Sequence, residues 1–139
     1  MKIYIRASQS NTASNPFYSM DCEKITNAAL KKYKDQYKQL SHVRVNSNTQ
    51  GYLYLIDGKV QAMINIEDKN GDIWIQGLEI FSESKGKGYS KYLLDTATKD
   101  LRATRLSVNK NNTMAKKVYD KYGFVVYDED NNMYYMELE

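Results

Sequence analysis

The residues with the clearest chemical potential in this chain are Lys85-Gly86-Lys87-Gly88-Tyr89-Ser90. They follow an apolar, strand-like run and precede a segment of helical spacing. The first turn of a helix leaves N–H groups without intrahelical partners, and the helix dipole favours an anion there. Glycine lets a backbone approach a ligand closely, and two lysines add positive charge. The loop therefore suits a phosphate or pyrophosphate, although a plain turn would use the same glycines. The dinucleotide fingerprint G-x-G-x-x-G is not met, because Lys91 stands where its third glycine belongs; no G-x-x-x-x-G-K-[ST] loop is present either.

The elements that must position this loop can be read on both sides of it. Tyr52 to Ile56, Lys59 to Glu67 and Ile73 to Phe81 read as three strands. They are joined by Asp57-Gly58, a two-residue hairpin signal, and by a turn from Asp68 to Asp72 containing Asn70-Gly71. Gly77 interrupts the third strand. Ile73 and Ile75 share a face, and Leu78 and Ile80 continue it only if one residue is inserted, so the pattern itself predicts a β-bulge near Gly77. After the loop come a helix over Tyr89 to Asp100, a strand over Arg105 to Val108 and a helix over Asn111 to Tyr122, with Gly123 as its C-cap. Phe124 to Tyr127 and Met133 to Leu138 form a closing pair. Upstream, Lys2 to Arg6 reads as a strand, Asn15-Pro16 as a turn and Ser19 as a helix N-cap. Ile25, Ala28, Ala29, Tyr33 and Tyr37 then fall at helical spacing, as one helix or two between Met20 and Gln39. Ser41 to Gln50 reads as a polar loop or a ragged strand. The order is that of one mixed α/β or α+β domain over residues 1–139.

A second cluster adds to the first. Leu106-x-Val108-x-x-x-Asn112-x-x-Ala115-x-x-x-Tyr119-x-Lys121-x-Gly123-Phe124 resembles the second signature of the GNAT acyltransferases, the Gcn-related N-acetyltransferase superfamily. The glycine loop resembles that family's acyl-CoA motif Q/R-x-x-G-x-G/A, with Lys85 at the Q/R position, Gly88 at the first glycine and Ser90 at the final small residue. The resemblance runs from about Tyr52 to Phe124. Three departures stand out: lysine keeps a donor but loses the planar fork, Ser90 adds a Cβ and a hydroxyl, and Ser82 stands where many members have proline. None removes a backbone N–H.

The resemblance implies a GNAT fold: a mixed central sheet flanked by helices on both faces, with strands Ile73–Phe81 and Arg105–Val108 parallel, splayed apart and holding a pantetheine arm between them. It implies acetyl-CoA as co-substrate, no metal, and an amine acceptor, whether a small amine or a protein amine. The alternative is a regulatory protein that binds acyl-CoA and has no productive acceptor site. Cofactor contacts are expected at Leu78, Ile80, Lys85, Gly86, Lys87, Gly88, Tyr89, Ser90 and Asn112. Asn112 either hydrogen-bonds the cofactor or caps its helix. Tyr119 falls where the family often has the acid that reprotonates the leaving thiolate, or else packs. Glu79 is the expected base, because the bulge would turn it toward the cleft; a relay through water is the other route. Glu83 is assigned to the loop or to solvent, Ser107 stands where some relatives have a glutamate base, and His42 reads as a surface residue. Cys22 reads as a buried residue of the first helix, with no partner that would make it a nucleophile. Acceptor specificity is expected in the first helical region and in the loops near Ser41–Gln50 and Asp128–Asn132. The acidic Asp128-Glu129-Asp130 turn either attracts a cation or is solvated.

Composition sets the outer limits. The 139 residues are 42% hydrophobic and 27% charged, an ordinary globular balance. A single cysteine excludes a disulfide framework and a zinc site of paired cysteines. Twenty basic against 17 acidic residues give +3, too small an excess to argue for nucleic acid. Thirteen tyrosines against three phenylalanines and one tryptophan match the bias of an AT-rich genome better than a functional aromatic surface. MKIYIRAS lacks the apolar core of a signal peptide, and no apolar run approaches a membrane span. A cytoplasmic protein is expected, and a homodimer is left open.

Overall fold

The computed structural model describes residues 15–81 and 84–139. The expected strand over Lys2 to Arg6, and Ser82 and Glu83 of the loop, lie outside the described residues. Among the described residues seven strands form one sheet: β1 (Asp21–Lys24), β2 (Thr49–Ile56), β3 (Lys59–Lys69), β4 (Asp72–Ile80), β5 (Arg105–Asn109), β6 (Phe124–Glu129) and β7 (Met133–Leu138). Their order across the sheet is β1-β2-β3-β4-β5-β7-β6, and every neighbouring pair is antiparallel except β4 with β5. The helices are α1 (Asn27–Tyr33), α2 (Ser90–Asp95), which continues as a π-helical turn Thr96–Asp100, and α3 (Thr113–Tyr122).

The alternation of the strands distributes the core over both faces. Tyr54, Ala62, Ile64, Ile66 and Ile75 point to one side and pack with Leu93, Leu94 and Ala97 of α2 and its extension. Leu53, Leu55, Val60 and Met63 point to the other and pack with Ala29 and Tyr33 of α1, Leu40 and Phe81. Helices thus cover both faces, as the sequence predicts. The hairpin at Asp57-Gly58 and the turn at Asn70-Gly71 form as expected, with Asp57 and Asn70 also at positive φ. Gly123 ends α3 at φ 121, and its N–H reaches the Tyr119 and Asp120 carbonyls.

The first third of the chain corrects the sequence reading. Ser19 caps no helix: Pro16–Ser19 is a 3-10 turn capped by Asn15, whose Oδ1 accepts from Phe17 N at 2.9 Å. Asp21 to Lys24 is strand β1, paired with β2 so that Cys22 lies opposite Tyr54. Met20 and Cys22 are both buried, a period of two inside a stretch whose later apolar residues have a helical period. The helix starts only at Thr26, whose Oγ1 accepts from Ala29 N at 3.0 Å, a cap worth about 1 kcal/mol. Cys22 is buried as expected, but in a strand. Lys38–His42 forms a 3-10 turn, and β2 begins only at Thr49. Among the described residues no helix is long and apolar enough to cross a membrane.

Candidate active site

The site begins with a break in strand pairing. β4 and β5 pair only at Trp74↔Arg105 and Ile75↔Leu106, so the strands part immediately beyond. The break coincides with a bulge. On the other side of β4, Asn65 lies opposite Gly77 and Ile66 opposite Ile75, which leaves Gln76 as the inserted residue. The insertion keeps Ile73, Ile75, Leu78 and Ile80 on one apolar face, as the sequence pattern requires. It places Glu79 opposite Met63, on the other face. From Gln76 onward the β4 backbone has no ladder partner on its β5 side, so amides directed there are open to a ligand.

Two clefts meet at this gap. The first, of about 480 Å³, is lined by Leu78, Glu79 and Ile80 of β4, by Ser84, Lys85, Gly86, Gly88, Tyr89 and Ser90 of the loop, and by one flank of α3. All the expected cofactor residues except the exposed Lys87 line it. Its loop is held at its start. Ser84, buried, donates from Oγ to Gln61 Oε1 at 2.9 Å, and its N–H and that of Lys85 both reach the Phe81 carbonyl. Gly86 and Gly88 take φ of 78 and 73, a region that excludes most side chains, which explains the two glycines. No side chain caps α2; Tyr92 N reaches the Tyr89 carbonyl, and among the described residues the Ser90 and Lys91 amides are left for whatever enters. On the α3 wall Met114 is 80% exposed and Val118 is also exposed. Their apolar surface faces this cleft rather than a core. An elongated ligand with an apolar arm and phosphates at one end fits this lining: apolar wall on α3, glycines, Lys85 and free amides at the loop.

The second cleft, of about 290 Å³, lies on the other side of the gap. It is lined by Met63, by β4 from Ile75 to Glu79, by β5 from Leu106 to Asn109, and by Gln39, His42 and Val43. Asn112, Ala115 and Tyr119 of α3, and Leu78 and Glu79 of β4, line both clefts. Asn112 is the α3 N-cap, its Oδ1 accepting from Ala115 N at 3.1 Å, so the capping alternative holds while the residue also faces the clefts.

Burial and charge set the protonation of the two facing groups. Desolvation raises the Glu79 carboxyl above the usual carboxylate range, and the Lys85 ammonium pulls it partly back. Tyr119 is pushed up to about 12, chiefly by burial and further by the negative charge of Glu79. Its ring also meets Phe124 edge-on, with centroids 6.1 Å apart, so it packs as well as faces the clefts. At neutral pH Tyr119 is a hydroxyl donor and Glu79 a carboxyl whose ionisation lies nearer neutrality than usual.

The structure brings together every expected site residue except Lys87. It adds Gln76, which the sequence reading leaves unassigned, and it picks out Gln39, His42 and Val43 from the segments expected to set acceptor specificity; His42, read as a surface residue, is exposed and lines the second cleft. Of the segments expected to set acceptor specificity, the one around His42 lines the second cleft, and Asp128–Asn132 lines neither. Cys22 is buried, its thiol pushed up to about 12 by desolvation, and lines neither cleft. Among the described residues no group of three or more histidine, cysteine or carboxylate side chains could hold a metal ion.

The sequence matches the acetyltransferase (GNAT) domain family over residues 7–135. No curated protein matches the chain. The fold matches that of the PaiA N-acetyltransferase of Thermoplasma acidophilum in complex with coenzyme A, with a TM-score of 0.64 and 18% identity over 87% of this chain and 99% of that one. It also matches the Campylobacter jejuni N-acetyltransferase PseH in complex with acetyl coenzyme A, with a TM-score of 0.59 and 20% identity over 86% of this chain and 98% of that one. A Bacillus anthracis acetyltransferase in complex with acetyl coenzyme A matches with a TM-score of 0.57 and 21% identity over 71% of this chain; the match spans 66% of that longer protein.

Proposed function

The chain belongs to the GNAT acetyltransferase family, and from that premise we propose that it transfers the acetyl group of acetyl-CoA directly to an amine. The observation that supports this reading is the meeting of two clefts at Glu79 and Tyr119. One cleft suits a phosphate-bearing, partly apolar thioester, and the other leaves room for a second substrate. Acetyl-CoA complexes of proteins with this fold agree with the first assignment.

In this reading Lys85 to Ser90 hold the pyrophosphate, and Leu78, Ile80, Met114 and Val118 border the pantetheine arm. An amide of β4 beside Gly77 and Leu78 faces the thioester oxygen, which fixes a donor where negative charge develops. Glu79, directly or through one water, takes the proton of the amine, whose unperturbed pKa is about 10.4 if it is a lysine. Tyr119 donates to the departing sulfur. Both proton transfers then occur across a single gap.

The test is release of the CoA thiol from acetyl-CoA with tyramine, putrescine, lysine amide and short peptides bearing a free N-terminus, with products identified by mass. Amine-dependent release and an N-acetylated product are expected. Tight acetyl-CoA binding with no release above background for any amine would overturn the reading in favour of a binding protein.

A further inference from the structure

Gln76 is the residue the bulge inserts, and its side chain is used for something other than the sheet. Its Nε2 donates to the His42 carbonyl at 3.3 Å. Its Oε1 accepts from Arg44 N at 3.3 Å and from Asn65 Nδ2 at 2.7 Å. Asn65, 1% exposed, spends its other amide hydrogen on the Arg44 carbonyl at 2.9 Å. Two carboxamides thus bind three backbone groups of residues 42–44: the His42 carbonyl and both polar groups of Arg44. Beyond them, Arg44 and Asn46 are tied to Glu67 of β3 by an ion pair and a hydrogen bond.

These contacts hold in place a segment with little regular structure of its own. Residues 43–45 belong to no helix or strand, and yet His42 and Val43 form the wall of the second cleft. The opposite wall is β4 itself. One side chain therefore links the bulge, where the thioester oxygen is proposed to be held, to the wall against which an acceptor would rest. Gly51 permits the arrangement. It lies opposite Asn65 in the β2–β3 ladder, and a Cβ there would collide with Asn65 Oδ1 and the Ile64 carbonyl.

We propose that Gln76, with Asn65 behind it, is a positioning residue for the acceptor: it sets the His42–Arg44 wall at a fixed distance from the β4 bulge, so its loss is felt by the amine and not by acetyl-CoA. The proposal rests on the acetyltransferase reading of the clefts. None of these contacts touches the loop Lys85 to Ser90 or the α3 wall, so the cofactor side should be insulated.

The test uses Gln76→Met, which keeps the length and removes all three hydrogen bonds. A second variant, Arg44→Ala, loosens the same wall from its exposed end. Hydrogen exchange of the backbone over residues 42–46, acetyl-CoA affinity by calorimetry, and steady-state constants with tyramine, putrescine or lysine amide are measured on each. For Gln76→Met, exchange at least tenfold faster in that segment is expected, with acetyl-CoA affinity within twofold of the parent and a five- to tenfold higher KM for the amine. Arg44→Ala should show the same pattern, more weakly. Unchanged exchange overturns the clamp, and an equal loss of acetyl-CoA affinity overturns its restriction to the acceptor side. If no amine turns over on the parent protein, the acetyltransferase reading fails by itself. Exchange and acetyl-CoA affinity then still decide whether Gln76 fixes this wall.

Discussion

The negative charge of Glu79 on β4 reaches the Tyr119 hydroxyl on α3, across the gap that opens where β4 and β5 stop pairing. The two residues have opposite requirements. A base must be ionised and an acid must hold its proton. Burial raises both groups. Tyr119 therefore keeps its proton to about 12, while Glu79 is ionised only above a raised carboxyl value. The window in which both are in the proposed state opens at that raised value and closes at about 12.

Replacing Tyr119 with phenylalanine removes the hydroxyl and keeps the ring that packs on Phe124. Acetyl-CoA affinity should stay within a few-fold. The proposed acid contribution predicts a fall in kcat on the order of 10²–10⁴. A kcat within twofold of the parent would leave Tyr119 with a packing role only.

The acid limb of the rate profile should respond to a residue of the cofactor loop. Lys85 lowers the Glu79 carboxyl electrostatically. Lys85→Gln removes that charge, so the Glu79 value moves up and the limb, read as kcat at saturating acetyl-CoA, shifts to higher pH. The amine's own ionisation is common to both proteins and cancels in the comparison. A limb that stays put, or moves down, would mean that Glu79 does not govern it.

Gly88 lines the cofactor cleft at φ 73. Gly88→Glu brings a carboxylate to the proposed anion site, and the positive φ adds a strain cost of about 1 kcal/mol. The parent should gain thermal stability with acetyl-CoA by mass action. The variant, folded by circular dichroism, should gain none. A gain equal to the parent's would place the pyrophosphate elsewhere.

Much of this site is legible in the sequence because its local rules are strict. Two glycines beside lysines before a helix, and an apolar pattern that keeps its face only across an insertion near Gly77, each have few structural solutions, and both appear in the structure, the insertion at Gln76. The signals for Met20 to Gln39 conflict. Ile25, Ala29 and Tyr33 have a helical spacing and are buried, yet the residues just before them pair with β2. Only tertiary pairing decides where the strand ends: Ser19 and Thr26 are both residues that can cap a helix, and Thr26 is the one that does. Gln76, Asn65 and the 42–46 wall carry no motif at all. Their contacts join residues 11 to 34 positions apart, and a carboxamide in a sequence does not say which backbone it will hold.

Transfer should proceed within a ternary complex. A double-displacement route needs a nucleophile activated by a neighbouring base. The chain's only thiol, Cys22, sits buried on β1 with its pKa pushed up to about 12, so almost none is thiolate at neutral pH. Cys22 lines neither cleft, whereas Glu79 lines both. Initial rates with acetyl-CoA and amine both varied should give intersecting double-reciprocal lines. Intact-mass analysis after incubation with acetyl-CoA alone should show no acetyl adduct that amine then removes. Cys22→Ser should keep kcat within a few-fold, once its stability is allowed for. Parallel lines together with a dischargeable adduct would replace direct attack by a covalent enzyme intermediate, and the position of that adduct would identify the nucleophile.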